Sequence, residues 1–167
     1  MTAVDAPDPA VSADADSLQA VRVQAVWVHA TCVLLGEAGV MIRGASGSGK
    51  TSLAFALVEG EERSGRFARF VGDDRVRLTL AGGRLIARAH PAIAGLAERR
   101  GLGPGLVPFE AAAVLRLVVD CTAGEPMTRL PTDEAGRVTI EGVELMRLAL
   151  EADDRRAAAL VRAALAR

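Results

Sequence analysis

The stretch that decides the fold is "GASGSGKT", residues 44–51. It satisfies the pattern G-x-x-x-x-G-K-[ST] in full, and its flanks supply the context that pattern demands. Before it, "VMIRG" (40–44) reads as a short buried strand. After it, "KTSLAFALVEGEE" (50–62) places Leu53, Ala54, Leu57 and Val58 at helical spacing. Strand, glycine loop and helix in that order make a phosphate loop on an α/β core. The glycines let consecutive backbone N–H groups turn inward around phosphate oxygens. Gly44, Ala45, Ser46, Gly47, Ser48 and Gly49 are therefore read as the nucleotide-binding loop, with Ser52 in the helical turn behind it. Lys50 would reach the β and γ phosphates, and the Thr51 hydroxyl would ligate Mg²⁺. The helix N-terminus adds its partial positive charge.

The rest of the chain fits one domain around that loop. Its 167 residues suffice for a single core. The net charge of −1 provides no basic field for nucleic acid. Cys32 and Cys121 form no C-x-x-C and no disulfide framework, and read as small buried hydrophobes in a reducing compartment. The opening "MTAVDAPDPAVSADADS" has acids, Ala and Pro but no Lys or Arg. It lacks the basic start of a secretory signal, and residues 1–18 are expected to be a disordered acidic tail before a domain at 19–167. The most apolar window, "VQAVWVHATCVLLGEAGVMI", is broken by polar residues and glycines, so no membrane span is expected and the protein should be cytoplasmic.

Strands are expected in "VRVQAVWVHA" and "CVLLGE" (32–37), in "RFARFVGDD" (66–74) and in "AAVLRLVVD" (112–120). "RVRLTL" and "RLIARA", joined by Gly82-Gly83, read as a hairpin. "PAIAGLAERRG" (91–101) begins on a proline and stops at a glycine, so it is expected to be a helix, followed by a loop over "GLGPGLVPF". "GEPMTRLPTDEAGR" (124–137) reads as a loop, "VTIEGVEL" (138–145) as a strand or strand-turn, and "DDRRAAALVRAALA" (153–166) as a closing amphipathic helix with its acids at the favoured end.

A phosphate loop needs an acid near Mg²⁺. Asp73 and Asp74 follow a strand whose carboxyl end is where open α/β sheets place their ligands. One carboxylate could hold the cation and the other could take a proton from an attacking hydroxyl. A solvated Asp-Asp turn would carry the same pair. His29 closes an apolar strand and, on spacing alone, reads more readily as a core histidine than as a catalytic one. His90, before Pro91, reads as a helix-entry residue, Glu98 as a helix-end charge, and nothing local distinguishes Arg129. A GTPase would need an N-K-x-D signature, which is missing.

Taken together, "VHATCVLL", "GVMIRGASGSGKTSLAFALV", "FVGDDRVRL" and "ERRGLG" resemble the catalytic domain of the HPr kinase/phosphorylase family over residues 22–150. The resemblance implies a mixed sheet flanked by helices and an ATP- and Mg²⁺-dependent serine kinase. Its substrate would be an HPr-like phosphocarrier protein of the phosphotransferase system, with a phosphorylase as the reverse activity. It implies that Asp73 is the base toward the serine, that His29 supports it, and that Thr51, Asp74 and Glu98 lie at the metal. Arg129 would match the arginine of a later loop. Homo-oligomers, as hexamers, are implied in the same way, and the absence of a further N-terminal domain suggests the family's short form.

Overall fold

A computed structural model describes residues 25–122 and 136–167. The acidic tail, the 124–135 part of the expected loop and Arg129 lie outside the described residues. The chain opens with strands β1 (Ala25–Val28), β2 (Thr31–Leu35) and β3 (Ala38–Gly44), then helix α1 (Lys50–Arg63). Strands β4 (Ala68–Gly72), β5 (Val76–Ala81) and β6 (Arg84–Ala89) follow. After a short 3₁₀ turn at Pro91–Ile93 come β7 (Leu96–Arg99), β8 (Gly103–Leu106) and β9 (Ala113–Cys121). The chain closes with β10 (Arg137–Ile140), β11 (Val143–Leu150) and helix α2 (Ala157–Leu165).

The sheet is mixed, and β9 is its axis. Its first residues pair antiparallel with β6, and the remainder runs parallel to β3 on one side and to β11 on the other. Beyond β3 lie β2 and then β4, each antiparallel to its neighbour, so β4 runs in the same direction as β3. Gly44, Cys121 and Leu150 are in register, which brings the carboxyl ends of three parallel strands to one edge. Gly72, which ends β4, pairs with Cys32 near the start of β2 and so arrives at that same edge. The phosphate loop, the residues before β2 and the pair Asp73-Asp74 are thus delivered together by topology alone.

Two cores flank the sheet. On one face Val40, Ile42, Leu117 and Val119 pack with Leu53, Ala54, Leu57 and Val58 of α1 and Val161 of α2. On the other face Met41 and Val118 meet Val76, Leu78, Leu85 and Ala87 from the β5–β6 layer. The alternation of β3 and β9 between the two clusters explains why these strands read as near-continuous apolar runs. Both cysteines are buried and free. Burial pushes the Cys32 thiol up to about 12 and the Cys121 thiol up to about 11, so they behave as apolar side chains.

The expected helix over 91–101 is corrected to a 3₁₀ turn followed by strand β7, and part of the expected loop over 101–109 is strand β8. The two strands form a separate antiparallel hairpin. The cause is visible at Gly95, which adopts φ 75° and sits so close to the Phe109 ring that a Cβ would lie 2.8 Å from a ring carbon. A left-handed residue in that position ends any helix, and Gly101 (φ 82°) and Gly103 (φ 79°) then turn the hairpin. The closing helix begins at Ala157, later than expected, leaving Asp153 and Asp154 in the preceding turn.

Three sheet neighbours are tied by charge. Asp120 on β9 accepts from Arg43 Nε at 2.7 Å and Nη2 at 2.9 Å on β3, and from Arg147 Nε at 2.6 Å on β11. Burial raises the affinity of Asp120 for a proton, but the two guanidiniums outweigh it and hold the carboxyl below its ordinary value. A carboxyl that titrates lower when folded stabilises fully above about pH 3.9, the unfolded value, and loses that contribution as pH falls through its lower folded value. Asp120→Asn should therefore lower the denaturation midpoint at neutral pH and flatten its fall below about pH 4. Urea melts at several pH values check this. An unchanged neutral midpoint and an unchanged acid limb would show that the cluster carries no net stability.

Candidate active site

The loop after β3 is shaped by backbone conformations that only glycine adopts easily. Gly44 (φ 150°), Gly47 (φ 78°) and Gly49 (φ 89°) all lie on the positive side. A Cβ on Gly44 would come within 2.6 Å of Ser48 Oγ and 2.7 Å of the Cys121 carbonyl oxygen. Gly49 is the N-cap of α1 and offers no side-chain cap, and the first turn contains no acid. The helix therefore presents open N–H groups and an uncompensated dipole to whatever enters the loop. Ser48 Oγ is buried with no partner in the described structure.

Lys50 is the chain's single lysine. It is almost fully buried, and its Nζ donates to the carbonyl oxygens of Gly44 at 3.1 Å and Ala45 at 2.9 Å. The ammonium is thus folded against the loop it is expected to serve. Next to it, the Thr51 hydroxyl donates to Asp73, 3.0 Å from Oδ1 and 3.2 Å from Oδ2.

The two adjacent aspartates go opposite ways. Asp73 is only 4 % exposed, and besides Thr51 it accepts from the Thr31 hydroxyl at 2.6 Å and from the Glu98 backbone N–H at 3.2 Å. Asp74 adopts φ 62°, a left-handed conformation uncommon outside glycine though tolerated by Asp. That conformation directs the chain so that Asp74 is exposed and lines the cleft. The cleft is ≈ 330 Å³ in volume and is walled by His29, Ser46, Gly47, Gly49, Lys50, Thr51, Ser52, Asp74, Glu98 and Arg100.

His29, Asp74 and Glu98 are all brought to this cleft, and Asp73 lies against it through Thr51. His29 is exposed there, so the core-histidine reading is dropped. Glu98 is on strand β7 and is not a helix-end charge. His90 caps the 3₁₀ turn through Nδ1, 3.2 Å from the Ala92 N–H, as its helix-entry reading expected, and its ring lies tilted against Trp27 with centroids 5.1 Å apart. Two residues were missing from the candidate set. Arg100 adds a cation to the cleft wall, and its sequence signal was the "ERRG" run itself. Thr31 binds Asp73 from 42 residues away, a contact without any local signal.

Among the described residues, no group of three or more His, Cys, Asp or Glu side chains is arranged to hold a metal unaided. The donors at hand are one hydroxyl and nearby carboxylates. That set suits Mg²⁺, which keeps waters and phosphate oxygens as most of its ligands and takes few from protein. Thr51, with Asp73 behind it, is the position where the residues fit such a cation. The open loop N–H groups and Lys50 fit the phosphates.

The HPr Serine kinase C-terminal domain family matches residues 22–166, nearly the whole described chain. An HPr kinase/phosphorylase of Mycoplasma mycoides subsp. mycoides SC is 37 % identical over 75 residues, which is 45 % of this chain and 22 % of that protein. The aligned stretch thus spans less than a quarter of that relative's length. The solved HPr(Ser) kinase/phosphatase of Coxiella burnetii superposes with a TM-score of 0.67, covering 84 % of this chain and 94 % of that one at 19 % identity. That likeness shows a shared fold, and with the family match the chain belongs to the HPr serine kinase C-terminal domain family.

Proposed function

We propose that this protein is an ATP- and Mg²⁺-dependent kinase that phosphorylates a serine of an HPr-like phosphocarrier protein. Family membership supports the reaction class and the partner. The observation that carries the reading is the division of labour between Asp73 and Asp74 beside a phosphate loop. ATP with Mg²⁺, when bound, supplies a transferable phosphoryl group whose charge is partly neutralised. The chain's own task is then to position, to neutralise and to move one proton.

Lys50 exchanges its two loop carbonyls for phosphate oxygens, an exchange of neutral acceptors for anionic ones that favours binding. Thr51 donates its proton to Asp73, which would leave its lone pairs free to hold the cation. Asp73 was expected to be the base, but three donors already occupy its oxygens and burial keeps it from an incoming hydroxyl. The geometry favours exchanging the roles. Asp74 takes the serine proton at its carboxylate, with His29 on the same wall to support it. Glu98 and Arg100 border the same cleft; there Glu98 would help hold the cation and Arg100 would stabilise the transferred charge. In the phosphorylase direction, inorganic phosphate would attack the phosphoserine phosphorus, the bond to the serine oxygen would break with a protonated Asp74 giving that oxygen its proton, and the phosphoryl group would leave as pyrophosphate. Arg129 is retained as a candidate catalytic residue on the family resemblance alone, and a homo-oligomer in the cytoplasm is part of the proposal. No helix among the described residues is long and apolar enough to cross a membrane.

Lys50→Ala should weaken ATP binding and nearly abolish transfer, because the phosphates lose their fixed counter-charge. Isothermal titration with ATP and Mg²⁺ reads the first effect. Intact mass of an HPr-like protein after incubation reads the second, and a carrier that stays unmodified by the unaltered enzyme would overturn the substrate assignment. The aspartates separate by kinetics. Asp74→Asn should still bind MgATP while transfer falls by roughly 10²–10⁴, the usual span for a positioned proton acceptor. Asp73→Asn should instead raise the Mg²⁺ needed for half-maximal rate. The reverse pattern, with Asp73→Asn losing rate at unchanged Mg²⁺ requirement, would return the base to Asp73.

A further inference from the structure

Thr31 is fully buried at the first position of β2, between the buried Ala30 and Cys32 and paired with Ile42 of β3, a setting where an apolar β-branched side chain is the ordinary occupant. Its hydroxyl is nevertheless engaged, donating to Asp73 Oδ1 at 2.6 Å, the shortest bond that carboxylate accepts. We infer that Thr31 is a positioning residue for the cation site: it fixes the Asp73 carboxylate, which in turn fixes the direction of the Thr51 hydroxyl. This inference rests on the kinase reading of the same cleft.

The case is geometric. A threonine hydroxyl has one proton and two lone pairs. The Thr51 proton is shared between Asp73 Oδ1 and Oδ2, so its lone pairs are turned away from Asp73, on the side of the cleft that Thr51 lines. That orientation holds only while the carboxylate plane is held. The plane has two further anchors, one on each oxygen: Thr31 on Oδ1 and the Glu98 N–H on Oδ2. Thr31 is the stiffer of the two. Its backbone is paired with Ile42, two residues before Gly44, in the strand that leads into the phosphate loop. Glu98 belongs to the separate β7–β8 hairpin. Without the Thr31 hydroxyl, Oδ1 keeps only the shared Thr51 proton. The carboxylate is then free to rotate, and the Thr51 proton follows it, which turns the Thr51 lone pairs. His29, two residues before Thr31, ties the same strand start to the cleft wall. The entry into β2 thus places one residue, His29, in the cleft and one, Thr31, beneath it.

A merely structural tie would change stability and leave the metal requirement alone, so the test reads Mg²⁺. ATP binding is measured by isothermal titration across a Mg²⁺ series for the unaltered protein, Thr31→Val and Thr31→Ser, with circular dichroism as the check on folding. Thr31→Val should need roughly 10-fold more Mg²⁺ for half-maximal ATP affinity, the loss expected when a group behind a metal ligand is removed. Its ATP affinity without Mg²⁺ should be unchanged. Thr31→Ser, which keeps the hydroxyl, should match the unaltered protein. In an Asp73→Asn background, Thr31→Val should add no further shift. Thr31→Ala, smaller but equally without a hydroxyl, must shift in the same direction and stands in if the valine variant does not fold. Hydroxyl-free variants with an unaltered Mg²⁺ requirement would overturn the inference, as would a serine variant as impaired as valine. A shift that adds in full to that of Asp73→Asn would do the same. If the unaltered protein shows no Mg²⁺-dependent ATP binding, it is the kinase reading that fails, and this role falls with it.

Discussion

One buried carboxylate organises the site. Asp73 follows β4, and its oxygens receive a hydroxyl from β2, a hydroxyl from α1 and a backbone N–H from β7. A carboxylate removed from water needs donors that replace its hydration. Here all of them are neutral groups from three different elements. The charge is therefore held in place without using up a cation. Lys50 rests instead on two loop carbonyls and remains available to a more strongly charged ligand. The same bonds link the phosphate-loop helix, the start of β2 and the β7–β8 hairpin at the site, where the Arg99–Glu59 ion pair and the Arg99 guanidinium over the Phe55 ring also hold the hairpin to α1.

The second consequence concerns the adjacent acid. With Asp73 turned inward, a left-handed Asp74 is what carries the neighbouring carboxylate to the opposite side. Such backbone outliers cluster where function over-determines them. Two identical side chains in sequence thereby acquire different environments, one dry and hydrogen-bonded, the other open to the cleft beside His29. Separating two carboxyl groups in this way is a common route to assigning one to charge stabilisation and the other to proton transfer.

Much of this was legible in the sequence because it is local. The phosphate loop declares itself in eight consecutive residues, and the four buried apolar positions of α1 follow from helical spacing alone. The hairpin of β5 and β6 was legible from its glycine pair. The segment 91–101 was misread because Pro91, Ala92, Ile93, Leu96 and Ala97 have an acceptable helical pattern, while the decisive fact is the contact of Gly95 with a Phe109 that lies 14 residues on. Which of Asp73 and Asp74 faces inward cannot be read from a dipeptide, since it depends on the donors assembled by the fold. Thr31 was invisible for the same reason. A threonine in a strand reads as an ordinary β-branched residue until its partner is known.

The central claim is that this cleft takes ATP with Mg²⁺ in the arrangement the bare residues already outline. A crystal structure with a non-hydrolysable ATP analogue and Mg²⁺ tests it most directly. The account predicts Lys50 Nζ moved from the Gly44 and Ala45 carbonyls onto phosphate oxygens, Mg²⁺ on Thr51 Oγ1, and Asp73 still bound by Thr31 and Thr51. Nucleotide bound away from the 44–51 loop, or Lys50 left on its carbonyls with Asp73 released from Thr51, would contradict it.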